Sequence, residues 1–137
     1  MAFDIHDTRT NPYALAVSVI ASAFALGNIG LGAVLLAEPQ RVTGPSFLWV
    51  LHRAPPQAWG AAFLLCGIVA LIGQYGHWKW PARLAHTGSS LLCAYWVGAF
   101  LWAAQHSETS GLTGVVAYSL IGVTHMLIAV FSPHGPR

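Results

Sequence analysis

Four long runs of apolar residues, separated by short polar stretches, dominate the sequence and predict four membrane-spanning helices. The runs cover residues 12–37, 57–75, 82–105 and 112–131. At 1.5 Å per residue, helices of this length reach across a hydrocarbon core of about 30 Å, the longer ones with some tilt. Because the connections are short, consecutive helices have to run antiparallel. The predicted fold is therefore all-α, an integral membrane four-helix bundle of up-down-up-down topology.

A shorter apolar and aromatic segment lies between the first two runs, at residues 45–54. It is too short to cross a bilayer, and Pro55 and Pro56 end it. Since tryptophan is enriched at the level of the lipid headgroups, a short interfacial helix anchored by Trp49 is expected here. A plainer alternative is a loop helix that only caps the bundle. Trp59, Trp78 and Trp80 stand near the ends of the spans and are further candidate interfacial anchors.

The rest of the chain is small. Residues 1–11 form a polar N-terminal segment, residues 12–132 a single transmembrane domain, and residues 133–137 a short tail. The N-terminal segment contains Asp4 and Asp7, and no small-residue cleavage site follows the first apolar run. These features are unlike a secretory signal, so the first run is expected to be retained as a membrane anchor.

Composition supports a membrane protein. Only 7% of the 137 residues are Asp, Glu, Lys or Arg, whereas 55% are apolar. A soluble domain carries about 25% charged residues, and ten charged side chains cannot cover a surface of this size. The mean hydropathy of +0.59 agrees, so the lipid bilayer is the expected surrounding. The net charge is +2 without any basic run, which makes a nucleic-acid partner unlikely.

Positive charges favour one orientation. On the predicted topology, one side of the membrane carries four basic residues and the other side carries two. The four are Arg9, Lys79, Arg83 and Arg137, and the two are Arg41 and Arg53. Cytoplasmic loops carry an excess of Lys and Arg. Both termini are therefore expected in the cytoplasm, and the membrane is expected to be the cytoplasmic (inner) one.

Polar residues inside the runs are the main functional candidates. His125 lies well within the fourth run, and His86 lies near the start of the third; ionisable residues in a span are functional candidates by default. Along each predicted helix, polar and small side chains recur every three or four residues and therefore share a face. Small residues on such a face let neighbouring helices pack closely. The predicted polar or helix-packing seam, at the centre of the bundle or between subunits, comprises Ser18, Ser22, Asn28, Ser90, Ala94, Gly98, Gly122 and His125.

Three uses of the two histidines remain open. Neutral imidazoles on facing helices are suited to a haem iron, so His86 and His125 are candidate haem ligands. A proton or ion pathway is a second use, although no span contains Asp or Glu. In the third use, His125 simply forms a hydrogen bond with a neighbouring helix.

Motifs of catalysis and of cofactor binding are missing from the sequence. The four acidic residues lie outside the spans without paired-carboxylate spacing, and no phosphate loop, zinc-protease motif or nucleophile elbow occurs. The glycine-rich residues 27–32 lie within a predicted membrane helix, where packing explains them better. Cys66 and Cys93 lie in apolar runs without metal-ligand spacing, as packing residues do. No enzymatic activity, metal site or resident cofactor is expected.

The order of several motifs resembles small four-span membrane proteins encoded by phages of actinobacteria and their relatives, some of which are called holins. The resemblance covers about residues 12–131 and is carried by Pro45-Ser46-Phe47, His52-Arg53-Ala54-Pro55, Trp59-Gly60, Gly67, Arg83 and Tyr95-Trp96. It implies a protein that assembles in the cytoplasmic membrane and opens it at lysis.

The leading hypothesis is therefore a non-enzymatic, self-associating membrane protein of phage type, holin-like in function. An accessory subunit that packs its helices against a larger membrane complex is the second hypothesis. A haem-binding or transport protein that uses His86 and His125 is the third.

Overall fold

The computed structural model describes residues 12–41, 45–76, 78–106 and 112–131. They form α1 (Pro12–Ala37), a one-turn 3-10 helix (Pro39–Arg41), α2 (Pro45–Arg53), α3 (Pro56–Tyr75), α4 (Lys79–His106) and α5 (Leu112–Phe131). The all-helical prediction is confirmed, and α1, α3, α4 and α5 are long and apolar enough to cross a membrane. The predicted N-terminal segment 1–11 and tail 133–137 lie outside the described residues.

Proline marks where several helices begin. α1, α2 and α3 each start with a proline, at Pro12, Pro45 and Pro56. The missing N–H does no harm there, because the first N–H groups of a helix have no partner within it. The same reasoning explains why α4 begins three residues before the predicted residue 82. Pro81 lies in the first turn of α4 and does not interrupt it.

Neighbouring helices run antiparallel, as the contacts along each pair show. Gln74 near the end of α3 bonds Ser18 near the start of α1, whereas Gly60 at the start of α3 approaches Gly32 near the end of α1. α3 and α4 form a hairpin, and so do α4 and α5. α2 packs against α4, and α1 and α5 approach each other over a short stretch. The resulting order is an up-down-up-down bundle with a short helix between the first two long ones.

Glycines allow α1 and α3 to touch through their backbones. A Cβ at Gly32 would lie 2.6 Å from the backbone nitrogen of Leu64, and one at Gly67 would lie 2.6 Å from the carbonyl oxygen of Ala25. Any side chain at either position would force the helices apart. Gly27 and Gly30 differ, because a Cβ at either would meet nothing within 4 Å. Of the glycines in residues 27–32, only Gly32 packs against a neighbouring helix in the described part of the chain.

The interior is divided into two halves of different chemistry. One half, beside α2, is filled by a cluster that we call the aromatic layer, consisting of Phe47, Trp49, Trp59, Phe63, Tyr95, Trp96, Phe100 and Tyr118. Trp96 is fully buried at its centre and stacks on Tyr118 at 5.2 Å between ring centroids. Towards the start of α4 and the end of α5, the other half contains buried polar side chains instead.

A buried polar cluster as the candidate functional site

Four polar side chains meet inside the bundle, and together we call them the polar cluster. They are Asn28 from α1, His86 and Ser89 from α4, and His125 from α5. All four are buried; His125 and Ser89 have no exposed surface, and His86 is 2% exposed. In a chain with helices apolar enough to cross a membrane, such a group is expensive to bury unless its members satisfy one another.

The two histidines form the centre of the polar cluster. Their Nδ1 atoms lie 2.9 Å apart, and their rings are tilted by 37° at a centroid distance of 5.2 Å. At this distance one Nδ1 carries a proton and donates it, and the other accepts. The two rings therefore cannot both be imidazolium ions in this geometry, because two N–H groups would then face each other.

Asn28 and Ser89 connect the pair to α1 and to the backbone of α4. The Asn28 Nδ2 group donates to the Ser89 hydroxyl at 2.7 Å, and that hydroxyl donates to the Ala85 carbonyl at 2.9 Å, four residues earlier. A serine that bonds back in this way is common within helices. Phe24 of α1 covers His125 edge-on, with ring centroids 5.3 Å apart.

Hydrogen-bond directions assign the protons of the two rings. Asn28 Nδ2 lies 3.4 Å from His125 Nε2, a long contact in which the amide can only donate. His125 Nε2 is then an acceptor, so His125 carries its proton on Nδ1 and donates it to His86. By the same reasoning, His86 accepts through Nδ1 and carries its own proton on Nε2.

A second polar group lies around Gln74 at the end of α3. Its Nε2 atom donates to the hydroxyls of Ser18 at 2.9 Å and Ser22 at 3.1 Å, and to the Ser18 carbonyl at 2.8 Å. The Ser22 hydroxyl is also 3.1 Å from the Tyr75 hydroxyl. Gln74 is 5% exposed, yet its Oε1 has no hydrogen-bond partner among the described residues.

The predicted seam residues separate into inner and outer sets. Asn28 and His125 belong to the polar cluster, whereas Ser18 and Ser22 surround Gln74. Ser90 is buried, and so is Gly122, where a Cβ would lie 3.1 Å from that of Cys93. These residues share the interior, although they form two groups and not one continuous seam.

Ala94 and Gly98, predicted in a seam at the bundle centre or between subunits, lie on the outer surface of α4. Four residues turn a helix by about 400°, so each four-residue step rotates the face by about 40°. Over the three steps from His86 to Gly98 the drift is about 120°. The buried face instead follows His86, Ser89, Cys93, Trp96 and Phe100, with alternating steps of three and four residues.

Two residues of these polar groups, Gln74 and Ser89, are not among the residues predicted from the sequence. Gln74 stands at the end of the second apolar run, where a polar residue is expected to mark the interface with water. Ser89 stands three residues after His86, so its spacing placed it on the same face as that histidine. That spacing was an available signal for Ser89, whereas nothing in the sequence indicated that Gln74 points inward.

The predicted tryptophan anchors fall into two pairs. Trp78 and Trp80 are mostly exposed, at the end of the bundle where α3 joins α4. Trp59 and Trp49 are partly buried in the aromatic layer, where Trp59 stacks on Tyr95 at 4.9 Å. Arg53 lies over the ring of Trp49 at 5.4 Å, a cation–π contact beside the layer.

The observed geometry does not fit a haem held between His86 and His125. The direct hydrogen bond between their Nδ1 atoms occupies the space in which an iron and its porphyrin would have to lie. Among the described residues, moreover, no group of three or more His, Cys, Asp or Glu side chains is arranged to hold a metal ion. What the polar cluster can do without rearrangement is hold, orient and share protons within a hydrogen-bonded network.

Comparisons of the chain with protein-family models, with curated proteins and with solved structures give no match.

Proposed function

We propose that this chain is a non-enzymatic protein of the cytoplasmic membrane that self-associates and permeabilises the membrane, in the manner of a holin. The observation that carries the proposal is the polar cluster itself, enclosed in a bundle whose outer surface is apolar. A protein that opens a hole must supply polar side chains to line it, and these must be hidden until the hole forms.

The place where the bundle can open is the contact between α1 and α5. A cleft of about 360 Å³ lies between these helices, lined by residues of both and reaching Asn28, Phe63 and Cys93. Direct contact there includes Phe24 and Asn28 with His125. Separation of α1 from α5 would break few contacts and would expose Asn28, Ser89 and His125 together. In an assembly, these side chains would face the water of the hole while apolar surfaces face lipid.

The outer surface offers positions for close contact between copies. Gly27 and Gly30 of α1 and Gly98 of α4 have open space where a side chain would be. Small outward residues let the backbones of neighbouring helices approach each other within a bilayer. In this proposal the seam between subunits uses the outer surface, whereas the polar residues occupy the interior.

The aromatic layer accounts for a closed resting state. Phe63, Trp96 and Phe100 fill the half of the bundle next to α2 and are almost completely buried. A continuous aqueous path through a single copy is blocked there. Harmless accumulation before an abrupt opening is therefore the expected behaviour, with both termini in the cytoplasm.

Controlled expression in a bacterium tests the proposal. Membrane potential, followed with a fluorescent dye, is expected to stay constant during accumulation and then to collapse abruptly. A His125→Leu variant should change the time of collapse, whereas Thr124→Val, which removes a hydroxyl bonded to its own helix at Leu120, should not. Continued growth at high expression with an intact potential would rule out permeabilisation. Recovery of a larger membrane partner with the intact chain would then favour an accessory subunit.

A further inference from the structure

A small cavity separates Gln74 from the histidine pair. Its volume is about 10 Å³, and it is lined by Ala21 of α1, Gln74 of α3, Lys79, Ala82, Arg83 and His86 of α4, and Ile128 of α5. A cavity needs about 10–15 Å³ of this kind of space to hold one water molecule, together with two to four polar partners. Both requirements are met here, because the lining includes an amide, an imidazole and two basic side chains.

The acceptor that needs a partner is Gln74 Oε1. The amide nitrogen of the same side chain donates to the Ser18 carbonyl oxygen, which can only accept, so the orientation of the amide is determined. Oε1 is buried and has no protein partner among the described residues. Leaving such an acceptor without a hydrogen bond is costly, and a water molecule in the adjoining cavity would remove that cost.

We propose that this cavity binds a single water molecule, held by Gln74 Oε1 and lying against His86, which hydrates the His86–His125 pair from one end of the bundle. That end carries Lys79 and Arg83, which also line the cavity. Towards α2 the way is closed by Phe63, Cys93 and Trp96, which are buried, and the cleft between α1 and α5 that reaches Asn28 is lined mostly by apolar side chains. The hydrogen-bonded network would then run from Ser18 through Gln74, the water molecule, His86 and His125 to Asn28.

Magic-angle-spinning NMR of the full chain in lipid bilayers tests this proposal. With ¹⁵N-labelled histidine and asparagine, magnetisation is transferred from water, and its arrival is followed at each side chain. Signals of the His86 ring are expected to rise first, those of His125 later, and those of the Asn28 amide last. Absence of water transfer to His86 in the unmodified chain would overturn the proposal, as would arrival at Asn28 before His86.

A pair of glutamine variants locates the water molecule. Gln74→Leu removes the acceptor and should lower the initial rate of water transfer to His86 several-fold. Gln57→Leu, at the exposed start of α3 near the other end of the bundle, should leave the rate unchanged. An unchanged rate in folded Gln74→Leu would show that Gln74 holds no water molecule beside His86. Should Gln74→Leu fail to fold, the order of arrival in the unmodified chain still decides the question.

Self-association does not enter this test. Hydration of His86 is measurable in a monomer and in an oligomer alike, so failure of the water site and failure of the proposed permeabilising function give separate results.

Discussion

His86 of α4 and His125 of α5 are joined by a hydrogen bond between their Nδ1 atoms, 2.9 Å apart in the interior of the bundle. The bond links two helices through side chains that have almost no exposed surface. Its geometry permits only one proton between the rings, so the two rings cannot both be imidazolium ions. Helix packing and protonation are therefore connected at this contact.

Replacement of one histidine should destabilise the bundle through the partner that remains. In His125→Leu, the Nδ1 atom of His86 loses its hydrogen-bond partner, and Asn28 Nδ2 loses the Nε2 acceptor. A loss of about 1–3 kcal/mol in the free energy of unfolding is therefore expected. Unfolding in mixed detergent micelles measures it. In the double variant His86→Leu/His125→Leu, the total should be smaller than the sum of the single losses by about 1 kcal/mol. Strict additivity would contradict a direct bond between the rings.

Glycine at position 67 is required by the close approach of α3 to α1. Gly67→Ala places a Cβ 2.6 Å from the Ala25 carbonyl oxygen and 2.7 Å from the Ile29 side chain, so the helices must move apart and the thermal transition should fall. The matched control is Gly27→Ala, which meets nothing within 4 Å. Because alanine favours helix over glycine by about 1 kcal/mol, this control should be neutral or stabilising. Equal losses in both variants would contradict the contact.

Self-association should depend on the open outer surface of α1. A Gly30→Leu variant adds bulk where the folded chain has space, so the monomer should keep its fold while assembly weakens and collapse of the membrane potential is delayed. Energy transfer between labelled copies in vesicles measures assembly. Ala117→Leu, on the exposed face of α5, is the control and should leave assembly unchanged. Normal assembly of the glycine variant would exclude this surface as the interface.

The aromatic layer should keep a single copy closed to ions. Trp96→Ala removes a fully buried ring that contacts Phe47, Phe63, Phe100 and Tyr118, and the cavity is expected to lower the free energy of unfolding by about 3–5 kcal/mol. Vesicles containing the variant should leak ions slowly where the original protein does not. Trp80→Ala serves as the control, since Trp80 is 72% exposed. Tight vesicles with a folded Trp96→Ala protein would contradict the sealing role.

Much of the fold was predictable because lengths and apolar runs are local properties of the chain. The four long helices and the short helix around Trp49 follow from runs of apolar residues and from the prolines that begin or end them. Antiparallel order follows from the short connections. α4 begins three residues before the third apolar run, because Pro81 occupies a first turn that tolerates proline.

The candidate site was predictable only in part. His86, His125 and Asn28 were identified as polar groups within apolar runs, but their meeting point depends on the rotation of α1, α4 and α5 about their own axes. A small difference in the helical repeat accumulates along the chain, which is why a series of four-residue steps that begins at the buried His86 ends on the outside at Gly98. The position of Gln74 in the interior could not be predicted, since a polar residue at the end of a span can point inward or outward.

By itself, then, the sequence determined the number, the length and the order of the helices, because these depend on composition and on local backbone preferences. Tertiary structure alone decided that His86 and His125 share a proton, that Gln74 points inward, and that Gly32 packs while Gly27 remains open. These relationships require each helix to be rotated and shifted against its neighbours, and such positions result from the packing of all the helices together.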